Sequence, residues 1–475
     1  MARLLFVQNL EYEYLGPMYI SAMAKAHGHD CQLALGHTIE ELAPMLDRFH
    51  PDLLGFSIMS GSHMWAREMA GQIKREYGIP NIFGGAHPTF FPQFGDELPV
   101  DMIVRGEGEE TALEVLDRLD RKRPLDDIPN LGLRRNGKLT QAPLRDLRGN
   151  LDDYPFPDRH LYDALENRLD RTVRNVITSR GCPFHCSFCF EDAMRELYQG
   201  KGKYVRLRSI ERVIEECRQL KNETKLRLIY FADDVFGMSK RWLYEFLPVY
   251  KREVGVEFIC LVRADIVASD KEYAFRLAEA GCRSVFFGIE SANEQLRNRV
   301  LSKQLSNEQI LTAAELLHRA GIKFRAYNIV GLPDETLADA LATVELNIAI
   351  ETDYPWCSLF APFPGTELTE YALRKGYLDE QFEYNSLSQS FFLNSNLKLP
   401  EIREMENLQK FFQTAVLWPW TLPLIQRLIR LRPNPLFKWW FGLVYFYVYL
   451  KSERRNFWST LRFALRNFRH VLAKQ

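Results

Sequence analysis

The sequence predicts an α/β protein: an N-terminal doubly wound domain, then a partial or full parallel β/α barrel, then a mainly helical C-terminal region. Three observations predict it. Short apolar runs alternate with helical stretches over roughly residues 1 to 120, as in an open parallel sheet. The alternation resumes over about 171 to 378 with six strand candidates, the repeat a parallel barrel needs. From about 379 to 475 it stops, and aromatic and aliphatic residues dominate.

In the first zone the strand candidates are Leu4 to Val7, Leu53 to Ile58, Ile82 to Phe83 and Met102 to Val104, and Met64 to Glu76 reads as a helix between them. Residues 121 to 170 are charged and proline-bearing, with Pro155 and Pro157 unsuited to a regular element, and read as a linker. The second zone offers Arg174 to Thr178, Arg227 to Phe231, Glu257 to Val262, Ser284 to Gly288, Lys323 to Val330 and Trp356 to Ala361 as strands. The third contains LFKWWFGLVYFYVYL, Leu436 to Leu450, fifteen residues that include Lys438. That is short of the ~20 apolar residues that span a bilayer, so an interfacial or buried helix is expected.

A chain of 475 residues holds two or three cores. Its net charge of -1 gives no ground for nucleic-acid binding. The charge is uneven: Phe411 to Gln475 carries eleven Lys and Arg against one acid, Glu453, so this end is +10 and the remainder -11. Eight cysteines, three of them within eight residues, do not make the dispersed framework of a small secreted protein, and the N-terminus lacks an export signal. A cytoplasmic protein is expected, with the basic aromatic end as a lid, a dimer contact or an element peripheral to the inner membrane face. In that end Lys451, Arg454, Arg455, Arg462, Arg466 and Arg469 follow a run of Trp, Phe and Tyr, a pairing suited to anionic headgroups. A helical cap packed on the barrel fits equally.

The chemistry concentrates in Ser179-Arg-Gly-Cys182-Pro-Phe-His-Cys186-Ser-Phe-Cys189, which follows a strand. Thiolates are soft ligands suited to zinc and iron-sulfur clusters. A structural zinc site or an electron-transfer cluster wants a fourth ligand; no second Cys pair is near, although His185 lies in the loop. Three thiolates leave one iron of a four-iron cluster open to a substrate. The loop, with Phe188 before the last Cys, resembles the CxxxCxxC signature of the radical S-adenosylmethionine (SAM) superfamily. The resemblance implies a 4Fe-4S cluster on Cys182, Cys186 and Cys189, whose open iron chelates SAM and whose electron cleaves it to methionine and a 5'-deoxyadenosyl radical. Cys31, Cys217, Cys260, Cys282 and Cys357 stand singly and read as core residues.

Polar residues follow the next three strands: Asp233 and Asp234, then Arg263, then Glu290 and Ser291. Each fits a helix cap as well as a ligand. By resemblance, Asp233 and Asp234 lie where family members hold the SAM amino group, in place of the usual Gly-Gly-Glu. Arg263, Glu290 and Ser291 lie where they hold its carboxylate and ribose, and Phe188 belongs to the same SAM site. The loops around Gly331, Pro333 and Gly365 resemble late-strand loops of the family and are equally ordinary turns.

The first zone lacks GxGxxG. Small residues stand instead after two strands, at Ser60 and Gly61 and at Gly84 and Gly85, where a bulky group can approach the backbone. With His87, Glu107 and Gly108 they resemble the Rossmann-like cobalamin-binding domain that precedes the barrel in cobalamin-dependent radical SAM enzymes. The DxHxxG motif is missing, which implies base-off cobalamin without a protein histidine on cobalt. His87 beside glycines fits a capping or hydrogen-bonding role as well as a ligand's. The resemblance implies methyl transfer to an unactivated carbon, or alternatively a cobalamin-assisted cyclisation, rearrangement or oxidation. A small-molecule substrate and a low-potential donor such as flavodoxin or ferredoxin are expected with it, and the basic aromatic end adds a lipid as an alternative substrate class. A non-enzymatic electron-transfer or metal-binding module is the rival of another class. A methylthiotransferase is disfavoured because Cys31 stands alone in the first zone.

Overall fold

The computed structural model describes residues 1–165, 169–223, 225–387, 390–453, 457, 458 and 461. They fall into two units, the first formed chiefly by Met1–Asp170 with Leu197–Tyr204, the second by Arg171–Glu196 with Val205–Thr460.

In the first unit, alternate residues of each strand enter different cores. On β1 (Arg3–Gln8), Leu4 and Phe6 join Met18, Ala24, Val115 and Leu116 on one face, while Leu5 and Val7 join Leu42, Leu46, Ala66 and Ile73 on the other. Burial on both faces explains the nearly continuous apolar runs. With β2 (Asp30–Leu35), β3 (Leu53–Ser57), β4 (Asn81–Gly84), β5 (Met102–Val104), β6 (Leu131–Arg135) and β7 (Lys138–Gln141), the sheet order is β2-β1-β3-β4-β5-β6-β7. The first five strands are parallel, and the hairpin β6-β7 adds antiparallel to β5. Two features differ from the sequence expectation. DCQLAL forms β2, an edge strand whose polar residues hid it. Residues 131 to 141, inside the expected linker, form the hairpin.

The second unit contains β8 (Val173–Val176), a two-strand ribbon of β9 (Ser179–Arg180) and β10 (Arg206–Leu207), and β11 (Leu228–Phe231), β12 (Glu257–Leu261), β13 (Cys282–Glu290), β14 (Lys323–Val330) and β15 (Tyr354–Leu359). The main sheet is six parallel strands in the order β15-β14-β13-β12-β11-β8, so the barrel is partial and its edges are β8 and β15. Alternation again sets the layers. Leu228, Ile259 and Phe286 face one another inside, while Ile229, Phe231, Phe258 and Val285 pack outward on the helices. The helix Ile402–Leu417 covers the β15 edge, with Gln409 Nε2 donating to the Cys357 carbonyl at 3.0 Å and Gln413 Nε2 to that of Pro355 at 2.9 Å. Side-chain amides thus satisfy edge carbonyls that would otherwise invite another strand. The expected aromatic helix is Pro435–Glu453. Lys451 lies on it, whereas Arg454, Arg455, Arg462, Arg466 and Arg469 lie outside the described residues.

Candidate functional site

The cysteine loop leaves the barrel at the C-terminal end of β8, where parallel barrels carry their chemistry. Its course is fixed from inside by Ser187, whose N–H donates to the Leu301 carbonyl at 3.1 Å and whose Oγ donates to that of Val300 at 2.6 Å. The Ser187 carbonyl accepts from Leu368 N at 2.9 Å, and Cys189 N closes a turn on the Cys186 carbonyl at 3.0 Å. These ties leave Cys182, Cys186 and Cys189 half-buried and unoxidised on one short loop. Burial pushes Cys182 up to about 11 and Cys189 up to about 12, and the neighbouring thiols and the carboxylates of Asp234 and Glu191 push in the same direction. A cationic iron centre reverses that balance, because thiolate bonds to metal replace the lost hydration. Among the described residues no three His, Cys, Asp or Glu side chains are closed around a single point. The donor set nonetheless fits a cluster: three thiols on one loop, with the Arg263 guanidinium 3.9 Å from Cys186 Sγ. His185 is turned away, its exposed ring held by Asp192 at 3.0 Å and by Arg195.

Two cations brace this loop from the following strands. Arg263, just after β12, is buried, forks onto Asp265 at 2.9 and 3.2 Å, donates to the Lys303 carbonyl at 2.8 Å and lies 3.7 Å from the Phe184 ring centre. Lys303 Nζ bonds Glu290 at 2.6 Å and stands 5.8 Å from the ring centre of Phe188. Glu290 ends β13 with a left-handed φ of 66° after a register shift, so its carboxylate folds back over Gly288. A Cβ on Gly288 would lie 1.9 Å from Glu290 Oε1, which is why glycine stands there.

The structure separates the two aspartates. Asp233 is 2 % exposed and points into the protein, accepting from Thr178 N at 2.9 Å, Thr178 Oγ1 at 2.8 Å and Ser179 Oγ. It ties the end of β11 to the start of the cysteine loop, and burial raises its carboxyl to about 6 despite those bonds. Asp234 opens to solvent and lies near enough to Cys182 to raise its thiol. The residue is exposed as a whole, yet burial of the carboxyl itself raises it above the usual carboxylate range. Ser291 is fully buried; its Oγ accepts from Asn293 N at 3.3 Å and its carbonyl from Arg297 at 2.6 Å, so it braces a turn.

In the first unit the predicted residues gather at the C-terminal ends of β3, β4 and β5, beside the switch point where β1 separates β2 from β3. Gly84 and Gly85 are partly or fully open to solvent, and Gly85, with φ 98°, has its would-be Cβ 2.6 Å from the Ile58 carbonyl oxygen. Gly61 and the side chains of Tyr12 and Met59 are exposed on loops after β1 and β3, and Met64 is exposed in the first turn of the helix His63–Tyr77 that follows. An open glycine edge beside apolar side chains fits a large planar ligand such as a corrin. Ser60 Oγ is 3.0 Å from His87 Nδ1. The His87 ring itself is fully buried, stacked 4.1 Å from His63, and burial lowers it to about 3, so it supports Ser60 from below. Gly108 starts the helix Glu109–Asp120, and Glu107 N donates to Tyr198 Oη at 2.9 Å.

Lys303 escaped the sequence analysis. It lies in LSKQLS, matches no motif, and reaches Glu290 only because the short π-helix Leu296–Val300 turns the chain back. Thr178 and Ser179 were equally silent, their role being defined by a contact 55 and 54 residues away.

A half-barrel of parallel strands with a CxxxCxxC loop after its first strand, preceded by a doubly wound domain, defines the class of cobalamin-type radical SAM enzymes. Comparison with known proteins agrees: the chain belongs to the radical SAM superfamily, matching its family model over residues 176–346 and the B12 binding domain model over residues 6–116. It is 32% identical to an uncharacterized methyltransferase of Pyrococcus horikoshii, over 77% of this chain and 79% of that one. It is 25% identical to the cytidylyl-2-hydroxyethylphosphonate methyltransferase of Streptomyces wedmorensis, over 74% of this chain and 72% of the relative. An anaerobic magnesium-protoporphyrin IX monomethyl ester cyclase of Rubrivivax gelatinosus is 26% identical over 74% of this chain and 64% of its own length. The solved structure of the cobalamin-dependent SAM radical enzyme OxsB superposes with a TM-score of 0.70 at 18% identity, over 100% of this chain and 75% of that one, and shows a shared fold.

Proposed function

We propose that this protein is a cobalamin-dependent radical SAM C-methyltransferase acting on a small-molecule substrate. The observation that carries the proposal is the Ser187-anchored cysteine loop with Asp234, Arg263 and Glu290 around it, in a chain that also carries a B12-binding domain. When bound, the cluster supplies the electron that cleaves SAM to methionine and a 5'-deoxyadenosyl radical, and cobalamin supplies the methyl group. Cys182, Cys186 and Cys189 would hold the cluster. Asp234, the outward aspartate, would accept from the SAM ammonium, while Asp233 positions the loop. Arg263 places positive charge beside Cys186, which favours the cluster and the SAM carboxylate alike. Lys303 fixes Glu290 at the same strand ends for the ribose.

Cobalamin would lie on the Gly84-Gly85 edge with Ser60, Gly61, Glu107 and Gly108 around it. Because His63 and His87 are both buried, the base-off form without a histidine on cobalt is the reading these rings support. The cyclase relative supports a second outcome, radical cyclisation or oxidation without methyl transfer. We place the protein in the cytoplasm with flavodoxin or ferredoxin as donor, and a lipid is the finer substrate reading.

The test is an anaerobic incubation of reconstituted protein with cobalamin, SAM and a low-potential reductant, following 5'-deoxyadenosine and S-adenosylhomocysteine. Deoxyadenosine that disappears in Cys182→Ala, Cys186→Ala and Cys189→Ala, with S-adenosylhomocysteine alongside, is expected. Deoxyadenosine alone in the presence of a turned-over substrate would assign the cyclase-like outcome, and an intact cluster without SAM cleavage would refute the proposal. Asp234→Asn should weaken SAM binding about tenfold or more, as loss of a charge-assisted bond does.

A further inference from the structure

The helix Pro435–Glu453 is apolar on both sides. Its inner face buries Phe437, Val444 and Val448, with Phe437 set edge-on to Phe411 at 4.7 Å and Tyr445 5.1 Å from Trp356. Its outer face carries Leu436, Trp439, Leu443 and Tyr447 at spacings of three, four and four, with exposures of 73%, 61%, 47% and 43%. A helix apolar all round is normally enclosed by protein or lipid. Here the outer stripe faces solvent. Among the described residues, eleven of the eighteen exposed large hydrophobic side chains fall between Trp418 and Trp458, including Trp420 at 80%. Concentration on that scale marks an interaction surface.

We propose that this stripe, with the turn and helix before it, docks on an anionic lipid bilayer surface. Three observations select that occupant. Arg427, Arg430, Arg432 and Lys451 are exposed beside the apolar residues, and the segment from Phe411 onward carries +10. This charge complements phosphatidylglycerol-type headgroups and repels a second copy of the same segment. The exposed set is rich in Trp, whose amphipathic ring favours the headgroup boundary. Finally, no helix among the described residues is long and apolar enough to cross a membrane. The nineteen-residue helix, about 28 Å long, therefore lies flat with its outer side chains at the acyl boundary.

The experiment is flotation of the full-length protein with phosphatidylcholine vesicles, with or without about a third phosphatidylglycerol, at low and high salt. It reads binding and not turnover, so it stands apart from the reaction assigned to the barrel. The wild type should float with anionic vesicles only, and less at high salt. Trp439→Glu/Leu443→Glu should cut binding at least tenfold, and so should Arg427→Gln/Arg430→Gln/Arg432→Gln, which leaves every aromatic in place. All five of these side chains are exposed, so unchanged circular dichroism and elution volume should accompany the loss. No flotation of the wild type, or flotation that neither variant weakens, overturns the proposal. A wild-type dimer that Trp439→Glu/Leu443→Glu turns into monomers, without vesicle binding, also overturns it and assigns the face to a second copy.

Discussion

Replacing Gly288 by alanine tests the buried pair that underlies the candidate SAM site. The new Cβ would sit 1.9 Å from Glu290 Oε1 and 2.6 Å from Lys303 Nζ. Ordinary contact begins near 3.4 Å, so the carboxylate must retreat by about 1.5 Å and the ammonium by about 0.8 Å. The 2.6 Å bond between them cannot survive those moves. Their side chains are only 7% and 9% exposed, so both charges are left short of partners and water. Breaking a buried pair costs about 3–5 kcal/mol. With a urea m-value of about 3 kcal/mol/M for a unit this large, the midpoint of the barrel's transition falls by about 1–1.7 M. The assay is urea unfolding of the apo protein in two backgrounds, wild type and Glu290→Gln/Lys303→Met. In the second there is no ion pair to break, so Gly288→Ala should cost at least 2 kcal/mol less, a direct reading of coupling. An equal cost in both backgrounds would refute the reasoning and leave only a generic clash. A midpoint unchanged by Gly288→Ala in the wild type would show that Glu290 moves freely.

Three further outcomes follow from the same geometry. Asp233 is raised to about 6 by burial, so the folded state holds its proton to a higher pH than the unfolded chain. Its contribution is greatest below about pH 4 and is lost as pH rises to about 6, by roughly 3 kcal/mol; Asp233→Asn should flatten that part of the stability profile, and a profile unchanged in the variant would contradict the burial of this carboxyl. His87 is lowered to about 3, the opposite case: the neutral ring stabilises the fold above pH 6.5, and falling to pH 5 should remove about 2 kcal/mol, a loss absent in His87→Phe. Equal acid sensitivity in the two proteins would contradict its burial. Gly85→Ala meets the rigid Ile58 backbone at 2.6 Å in a left-handed conformation, so a loss of about 3 kcal/mol in the first unit and lower cobalamin retention after gel filtration are expected. Undiminished retention would move the ligand away from this edge.

Much of the architecture was legible because it is written locally. The inner barrel strands β11 to β14 stood out as apolar runs since both their faces are largely buried, and β14 was read to the residue. The cysteine loop was legible because metal chemistry demands particular atoms at short spacing. Two elements at the edges of the first sheet were not: β2 mixes Asp30 and Gln32 with its apolar residues, and the β6-β7 hairpin carries Arg134, Arg135, Lys138 and Gln141 on exposed or half-buried positions, so neither stands out from the surrounding polar text. The remaining strand ends were identified as places, without the direction of each side chain.

The sequence by itself determined the CxxxCxxC loop after a strand, the parallel alternation in two domains and the apolar, basic character of the C-terminal end. Only the tertiary structure decided that Asp233 faces inward and Asp234 outward, because adjacent residues at a strand end point to opposite sides and composition does not say which. It alone brought Lys303 onto Glu290, sank His87 beneath Ser60, and left one side of an all-apolar helix uncovered. Each of these is a contact, or the lack of one, between residues far apart in the chain, and such distances leave no periodic or compositional trace.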